Sequence, residues 1–208
     1  MNVTVDQATD WVRSGYVVVV PLEHGYAYVV DAFSHDAVRT MHVLRGVNPG
    51  VSAQVLIGGI KTAQGIVREI SSDTKILMEN FWPGLLSINI EPNSGLAWDL
   101  GDDGVLGQIS IRVPTPTFIS ELLAKTGPLA TASISMAGQG ALRKVDSILE
   151  NKSEIIRICD AGELSEGPLS TVISINGGKI SMTREGALSY EDLSAKVSGI
   201  TRPSASNS

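Results

Sequence analysis

Between Gln108 and Gly140 the chain places a fixed cation a short distance from a run of hydroxyls. Gln108-Ile109-Ser110-Ile111-Arg112-Val113 alternates, with Ile109, Ile111 and Val113 on one face of a half-buried strand and Arg112 on the other. Pro114 follows, and proline cannot continue a central ladder. A helix predicted from Thr115 or Thr117 and stopped by Gly127 leads into a second apolar run, Leu129–Ala132, which ends in Ser133-Ile134-Ser135-Met136-Ala137-Gly138-Gln139-Gly140. Two strand ends of this kind, side by side, would make an anion pocket. Guanidinium would come from one strand, hydroxyls and backbone N–H groups from the other.

Other routes to chemistry are closed by the residues themselves. There is no G-x-x-x-x-G-K-[ST], no G-x-G-x-x-G after a strand and no G-x-S-x-G. Gly177-Gly178-Lys179 reads as a turn. His24, His35 and His42 lack Cys or Asp partners at zinc spacing, so no metal site is expected, and His35 and His42 read as a solvated helix face. No general acid, base or nucleophile is singled out by spacing.

The elements that must position these groups follow from periodicity. Thr4 or Asp6 caps a helix carrying Val5, Ala8, Trp11 and Val12, closed by Gly15. Tyr16–Val20 is a β-branched run, a strand buried on both faces; Tyr26–Val30 is its neighbour. Ser34 caps a helix with Ala37, Val38, Met41 and Leu44 that closes at Arg45-Gly46. Strands at Gln54–Ile57 and Leu85–Ile90 bracket helices at Ala63–Ile70 and Asp73–Asn80. Asn93–Gly107 reads as a surface excursion, Asp146–Asn151 as weak helix and Glu154–Cys159 as strand. Ser170–Ile175 and Lys179–Arg184 form a hairpin about Asn176-Gly177-Gly178, and Tyr190–Val197 is a last helix with Leu193 and Val197 inward. Strands alternating with helices and one late hairpin predict a mixed, twisted α/β sheet in one domain, residues 1–200, with a disordered tail at 201–208.

Bulk properties agree. At 208 residues, 43% hydrophobic and 18% charged, the chain can bury a sizeable core. A net charge of −6 argues against general affinity for nucleic acid. The single cysteine, Cys159, excludes an internal disulfide and suits a reducing cytoplasm. No stretch reads as a targeting or membrane segment.

Taken in order, a set of short motifs resembles the YrdC family of threonylcarbamoyl-AMP synthases. They are Pro21-Leu22-Glu23 with Tyr26, Asp31-Ala32, Phe81-Trp82-Pro83-Gly84 with Leu86-Ser87, Arg112-Val113-Pro114 and Gly127-Pro128-Leu129-Ala130. Ser133-Ile134-Ser135 with Gly138, Gly167 to Val172 and Arg184-Glu185-Gly186-Ala187 complete the set, which spans roughly Trp11 to Leu193. Trp98-Asp99-Leu100-Gly101-Asp102 further resembles the actinobacterial branch. The resemblance implies a single α/β domain curved around a large, positively lined cavity. It also implies a nucleotidyltransferase activity: L-threonine, bicarbonate and ATP become threonylcarbamoyl-adenylate and pyrophosphate, toward the t6A modification of tRNA. ATP with Mg2+, tRNA or another RNA, and downstream tRNA threonylcarbamoyl-transferase proteins are the implied partners, in the cytoplasm and without a membrane.

Carried over by position, Glu23, Arg112 and Ser133 fall on the threonine side, and Arg45, Gln108, Ser135, Ser170 and Arg184 on the nucleotide side. On the residues alone, Glu23 is a loop carboxylate, Ser133-Ile134-Ser135 a turn and Arg184 a hairpin-end cation. Several positions depart from the family. Leu22 and His24 replace the threonines of its Pro-Thr-Glu-Thr box, and Tyr26-Ala27-Tyr28 replaces Tyr-Gly-Leu, adding bulk to the floor. Arg45-Gly46-Val47 replaces Lys-x-Arg, Ser135 an asparagine and Gln108 a threonine, while the loop Asn48–Ala53 keeps little of the family's basic character. Losing one charge-assisted hydrogen bond of ~1.5–3 kcal/mol weakens nucleotide binding about 10–100-fold. The alternatives that follow are a catalytically degenerate nucleotide- or RNA-binding protein, and an adenylating enzyme with a different acceptor.

Overall fold

The computed structural model describes residues 3–46, 50–135, 139–145 and 154–202. The weak helix read at Asp146–Asn151 and the tail beyond Arg202 lie outside the described residues. Among the described residues nine strands form one mixed sheet flanked by helices: β1 (Val17–Pro21), β2 (Tyr26–Asp31), β3 (Gln54–Leu56), β4 (Leu86–Ile90), β5 (Ile109–Arg112), β6 (Leu129–Ser133), β7 (Ile156–Ile158), β8 (Thr171–Asn176) and β9 (Lys179–Arg184). Their order across the sheet is β7-β1-β2-β6-β3-β5-β4-β8-β9, with parallel pairs at β7/β1, β3/β5 and β4/β8. This is the mixed α/β architecture read from the sequence.

Helix α1 (Val5–Arg13) starts at a capping box in which Thr4 accepts the Gln7 N–H. Helix α2 (His35–Arg45) is capped by Ser34 and closed by left-handed Gly46. Helices α3 (Ile60–Ile66) and α4 (Ser72–Phe81) follow; α3 starts earlier than its apolar spacing suggests, from Gly59, and stops earlier, where Val67 turns extended and bridges to Pro92. Helix α5 (Thr117–Thr126) has Pro116 at its N-cap; neither Thr115 nor Thr117 caps it. Helix α6 (Tyr190–Ser194) is shorter than predicted, yet Leu193 and Val197 are both buried. The β8–β9 turn is made by Gly177 and Gly178, at φ 54° and 76°, while Asn176 is still paired with Lys179. Thr201 pairs with Ser181 beside β9.

Cross-strand pairing sorts the sheet residues by face. Val55, Ile111, Ala130 and Ile88 lie on one face, in a core that also takes Val38 and Met41 of α2 and Leu77 and Met78 of α4. On the opposite face, Val18, Val20, Val29, Leu56 and Leu129 pack beneath Ala8 and Val12 of α1 and Ile119, Leu122 and Leu123 of α5. That second face then changes character. Across β2, β6, β3 and β5 it carries Ala27, Ser133, Thr131, Gln54, Ser110 and Arg112, and none of the described helices covers them.

The excursion 93–107 runs mostly along the surface, as its polarity suggests, but it is anchored at two buried positions. Trp98 and Leu100 are 2% and 0% exposed and belong to the core. His35 Nε2 and His42 Nε2 lie against its backbone at the Ala97 and Leu100 carbonyls, 3.2 and 2.8 Å away; His35 is exposed, as the solvated-face reading has it, while His42 is half-buried. Among the described residues, no helix is long and apolar enough to cross a membrane.

Candidate functional site

On the uncovered part of the sheet a cavity of about 490 Å³ opens, within the range of small-molecule sites. Its floor is the polar half of the second face: Gln54 from β3, Ser110 and Arg112 from β5, Thr131 and Ser133 from β6. One wall comes from the β1–β2 turn with Leu22, Glu23 and His24, another from the end of α2 with Arg45, a third from Leu169, Ser170 and Arg184 beside β8 and β9.

Arg112 is only 4% exposed, so the polar face of β5 is buried rather than solvated. Its Nη1 donates to Glu23 Oε1 at 2.9 Å, with the two side chains 5% and 10% exposed. The same oxygen accepts the Thr115 N–H at 2.9 Å and the Thr115 hydroxyl at 3.1 Å. Burial pushes the Glu23 carboxyl up, but the Arg112 guanidinium and the Thr115 amide outweigh it and hold the group below 4.5. Glu23 is therefore an anion at neutral pH, and the turn that carries it fixes the guanidinium.

Buried polar groups almost always have partners. Among the described residues five buried side-chain atoms have none, and three of them belong to the cavity wall: Arg112 Nε, Arg45 Nε and Ser52 Oγ. With Arg184, the described lining offers three arginines against one carboxylate, Glu23. Such a space suits a polyanionic ligand.

The rim is held by contacts between distant segments. His24 Nδ1 is 3.2 Å from the Ser165 carbonyl, and its ring lies against Gly167 so closely that a Cβ there would fall 2.3 Å from it. The Tyr26 hydroxyl lies 2.7 Å from the Gly162 carbonyl and accepts the Ala161 N–H at 2.8 Å. Buried Cys159 has its thiol pushed up to about 12 by burial, so it is no nucleophile at neutral pH. Among the described residues no group of three or more His, Cys, Asp and Glu side chains is placed to hold a metal.

Residues 10–186 match the Sua5/YciO/YrdC family model, whose description reads telomere recombination. The chain belongs to the Sua5/YciO/YrdC family. A Mycobacterium leprae protein provisionally named threonylcarbamoyl-AMP synthase is 30% identical over 90% of this chain and 84% of its own length. Two solved structures share the Sua5/YciO/YrdC fold. Sua5 of P. abyssi, crystallised with L-threonine, superposes with a TM-score of 0.84 at 22% identity over 95% of this chain, which spans 58% of the Sua5 chain. E. coli YciO gives 0.77 at 21% identity, covering 91% of this chain and 92% of its own.

Of the positions matched to family motifs, Glu23, Arg45, Arg112, Ser133, Ser135, Ser170 and Arg184 all line the one cavity. Gln108 does not reach it. Its amide donates to the Ile175 carbonyl at 3.1 Å and accepts the Ser174 hydroxyl at 3.0 Å, which ties β5 to β8. Tyr28 is also absent from the floor; it is 2% exposed in the core on the other face, so it adds no bulk to the cavity. Leu22 and His24 do line it. Val47 and Gly138 lie outside the described residues. Gln54, Ser52, Ser110 and Thr131 escape motif reading. For Ser110 and Thr131 the signal is a polar side chain alternating with apolar ones along β5 and β6; Ser52, in the loop before β3, and Gln54, at its start, carry none.

Proposed function

We propose that this chain is an L-threonylcarbamoyladenylate synthase, a nucleotidyltransferase that makes threonylcarbamoyl-AMP from L-threonine, bicarbonate and ATP, with release of pyrophosphate, for t6A modification of tRNA. The observation that carries the reading is one cavity lined by both the residues matched to the threonine side, Arg112 and Ser133, and those matched to the nucleotide side, Arg45, Ser170 and Arg184. The name of the Mycobacterium leprae relative and the threonine complex of P. abyssi Sua5 support it.

The chemistry suits the lining. Arg112, steadied by Glu23, takes the threonine carboxylate as a charge-assisted pair through its unpartnered Nε edge. Arg45 and Arg184 neutralise triphosphate charge. The threonine amine, after losing a proton to solvent, bonds to the bicarbonate carbon with loss of water. The carbamate oxygen that then attacks the α-phosphorus already carries charge, so no side chain has to take a proton from that oxygen. The bond from the α-phosphorus to the bridging oxygen breaks and pyrophosphate leaves. Catalysis then rests on positioning and charge neutralisation. Among the described residues the lining offers a metal one carboxylate, Glu23, already engaged by Arg112, so Mg2+ enters with the triphosphate rather than as a resident ion. Product would pass to tRNA threonylcarbamoyl-transferase proteins in the cytoplasm.

The test is incubation of the protein, at high concentration, with ATP, L-threonine and bicarbonate, followed by mass spectrometry and a pyrophosphate assay. Threonylcarbamoyl-AMP is the expected product. ATP binding without any adenylate would instead favour a nucleotide-binding protein, and pyrophosphate release with another amino acid alone would move the acceptor, with Leu22 and His24 as the responsible wall.

A further inference from the structure

A line of hydrogen-bonded side chains crosses the cavity floor, and one of its members never touches the cavity. Gln54 Nε2 donates to Ser87 Oγ at 2.9 Å and to Ser110 Oγ at 3.1 Å. Ser87 Oγ donates to Ser170 Oγ at 3.1 Å. Arg184 Nη2 donates to that same oxygen at 3.0 Å, while Arg184 Nε donates to the Ser170 carbonyl, also at 3.0 Å. Ser87 is fully buried and absent from the lining; Gln54, Ser170 and Arg184 are part of it.

Counting protons gives this line a direction. An amide nitrogen carries two hydrogens, a hydroxyl one hydrogen and two lone pairs. Both Gln54 N–H groups are spent, so Ser87 accepts from Gln54 and must give its own proton onward. Ser170 Oγ receives from Ser87 and from Arg184, and both of its lone pairs are taken. Only its proton remains, and it can go only to an acceptor in the cavity. The backbone at this point is held as well. Thr171 Oγ1 donates to the Leu188 carbonyl at 2.6 Å and accepts the N–H groups of Gly186 and Leu188 at 3.0 and 2.8 Å.

We infer that Ser87 is a positioning residue that makes Ser170 a donor-only hydroxyl, aimed at an anionic oxygen of the bound nucleotide. The inference rests on the nucleotide reading of the site given above. Ser87 touches no ligand; it acts by occupying a lone pair that would otherwise let the Ser170 hydroxyl turn away. A hydroxyl kept only to satisfy buried neighbours would affect binding independently of Ser170. One acting through Ser170 has no effect once the Ser170 hydroxyl is gone.

The experiment is a double-mutant cycle on the full chain, with ATP binding read by calorimetry for wild type, Ser87→Ala, Ser170→Ala and the double variant. Removing a hydrogen bond to a charged oxygen is expected to weaken binding about tenfold or more in Ser170→Ala. Ser87→Ala weakens it several-fold, and the double variant binds no worse than Ser170→Ala alone. Additive losses overturn the role of Ser87 and leave the nucleotide site standing. Absence of ATP binding by the wild type overturns both together. Should Ser87→Ala not fold, as judged by its thermal melt, Ser87→Cys fills the same space with a weak donor and reads the same cycle.

Discussion

Removing Arg112 should leave a mark on stability that can be separated from its mark on binding. In Arg112→Ala, Glu23 stays buried, still bonded to Thr115 but without its counter-charge. Breaking one side of a buried ion pair costs about 3–5 kcal/mol, and the retained Thr115 bonds place this case near about 3 kcal/mol. In a chain of this size that lowers the melting temperature by about 6–12 °C. Adding Glu23→Gln removes the stranded charge while keeping an acceptor for the Thr115 N–H, so more than half of the lost stability should return. L-Threonine binding should not return, and nucleotide binding should be largely kept throughout. The pH dependence carries the sign. In the wild type the Glu23 carboxyl lies below 4.5, so its contribution is present above that value and is lost as pH falls through the lower, folded one. In Arg112→Ala burial dominates, the carboxyl moves up, and acidification relieves the variant. Urea melts at pH 7 and pH 5 should therefore show a narrower gap between wild type and variant at the lower pH. A gap unchanged by pH, or no recovery on adding Glu23→Gln, refutes the buried-pair account. Equal loss of threonine and ATP binding refutes the assignment of Arg112 to the carboxylate.

Trp98→Ala should cost about 3–5 kcal/mol in urea denaturation, since the indole is 2% exposed within the core; a cost near zero would mean that the indole does not anchor the excursion. Gly167→Ala drives a methyl to 2.3 Å from the His24 ring and should destabilise by about 1–3 kcal/mol, a loss removed when His24→Ala is combined with it. Thermal melts showing independent, additive costs would mean that the ring and the glycine are not in contact.

Much of the scaffold could be read from spacing alone. The β-branched run at Val17–Val20, the Ser34 cap and the hairpin turn are local decisions, made by χ1 preference, a side-chain acceptor and glycine at positive φ. The excursion is polar and mostly exposed as read, but its anchoring was not legible: Trp98 and Leu100 are buried, and the Ala97 and Leu100 carbonyls find partners on His35 and His42, some sixty residues earlier. The site was legible where a residue had a motif around it, as with Arg112, Ser133 and Ser170. Gln108 was misplaced for the opposite reason. It begins the same alternating run as Arg112, but its amide is taken up by Ser174 and the Ile175 carbonyl at the far end of β5. The partnership of Glu23 with Arg112 joins residues eighty-nine apart, and no local pattern announces it.

The division of labour along β3, β5 and β6 has an evolutionary consequence. Ile111 and Ser110, or Ala130 and Thr131, are chain neighbours with opposite duties: one keeps the domain folded and the other faces whatever enters the cavity. Because the two duties alternate with the pleat, a lineage can revise its preferred small molecule one odd or even position at a time and leave the scaffold's own interior untouched.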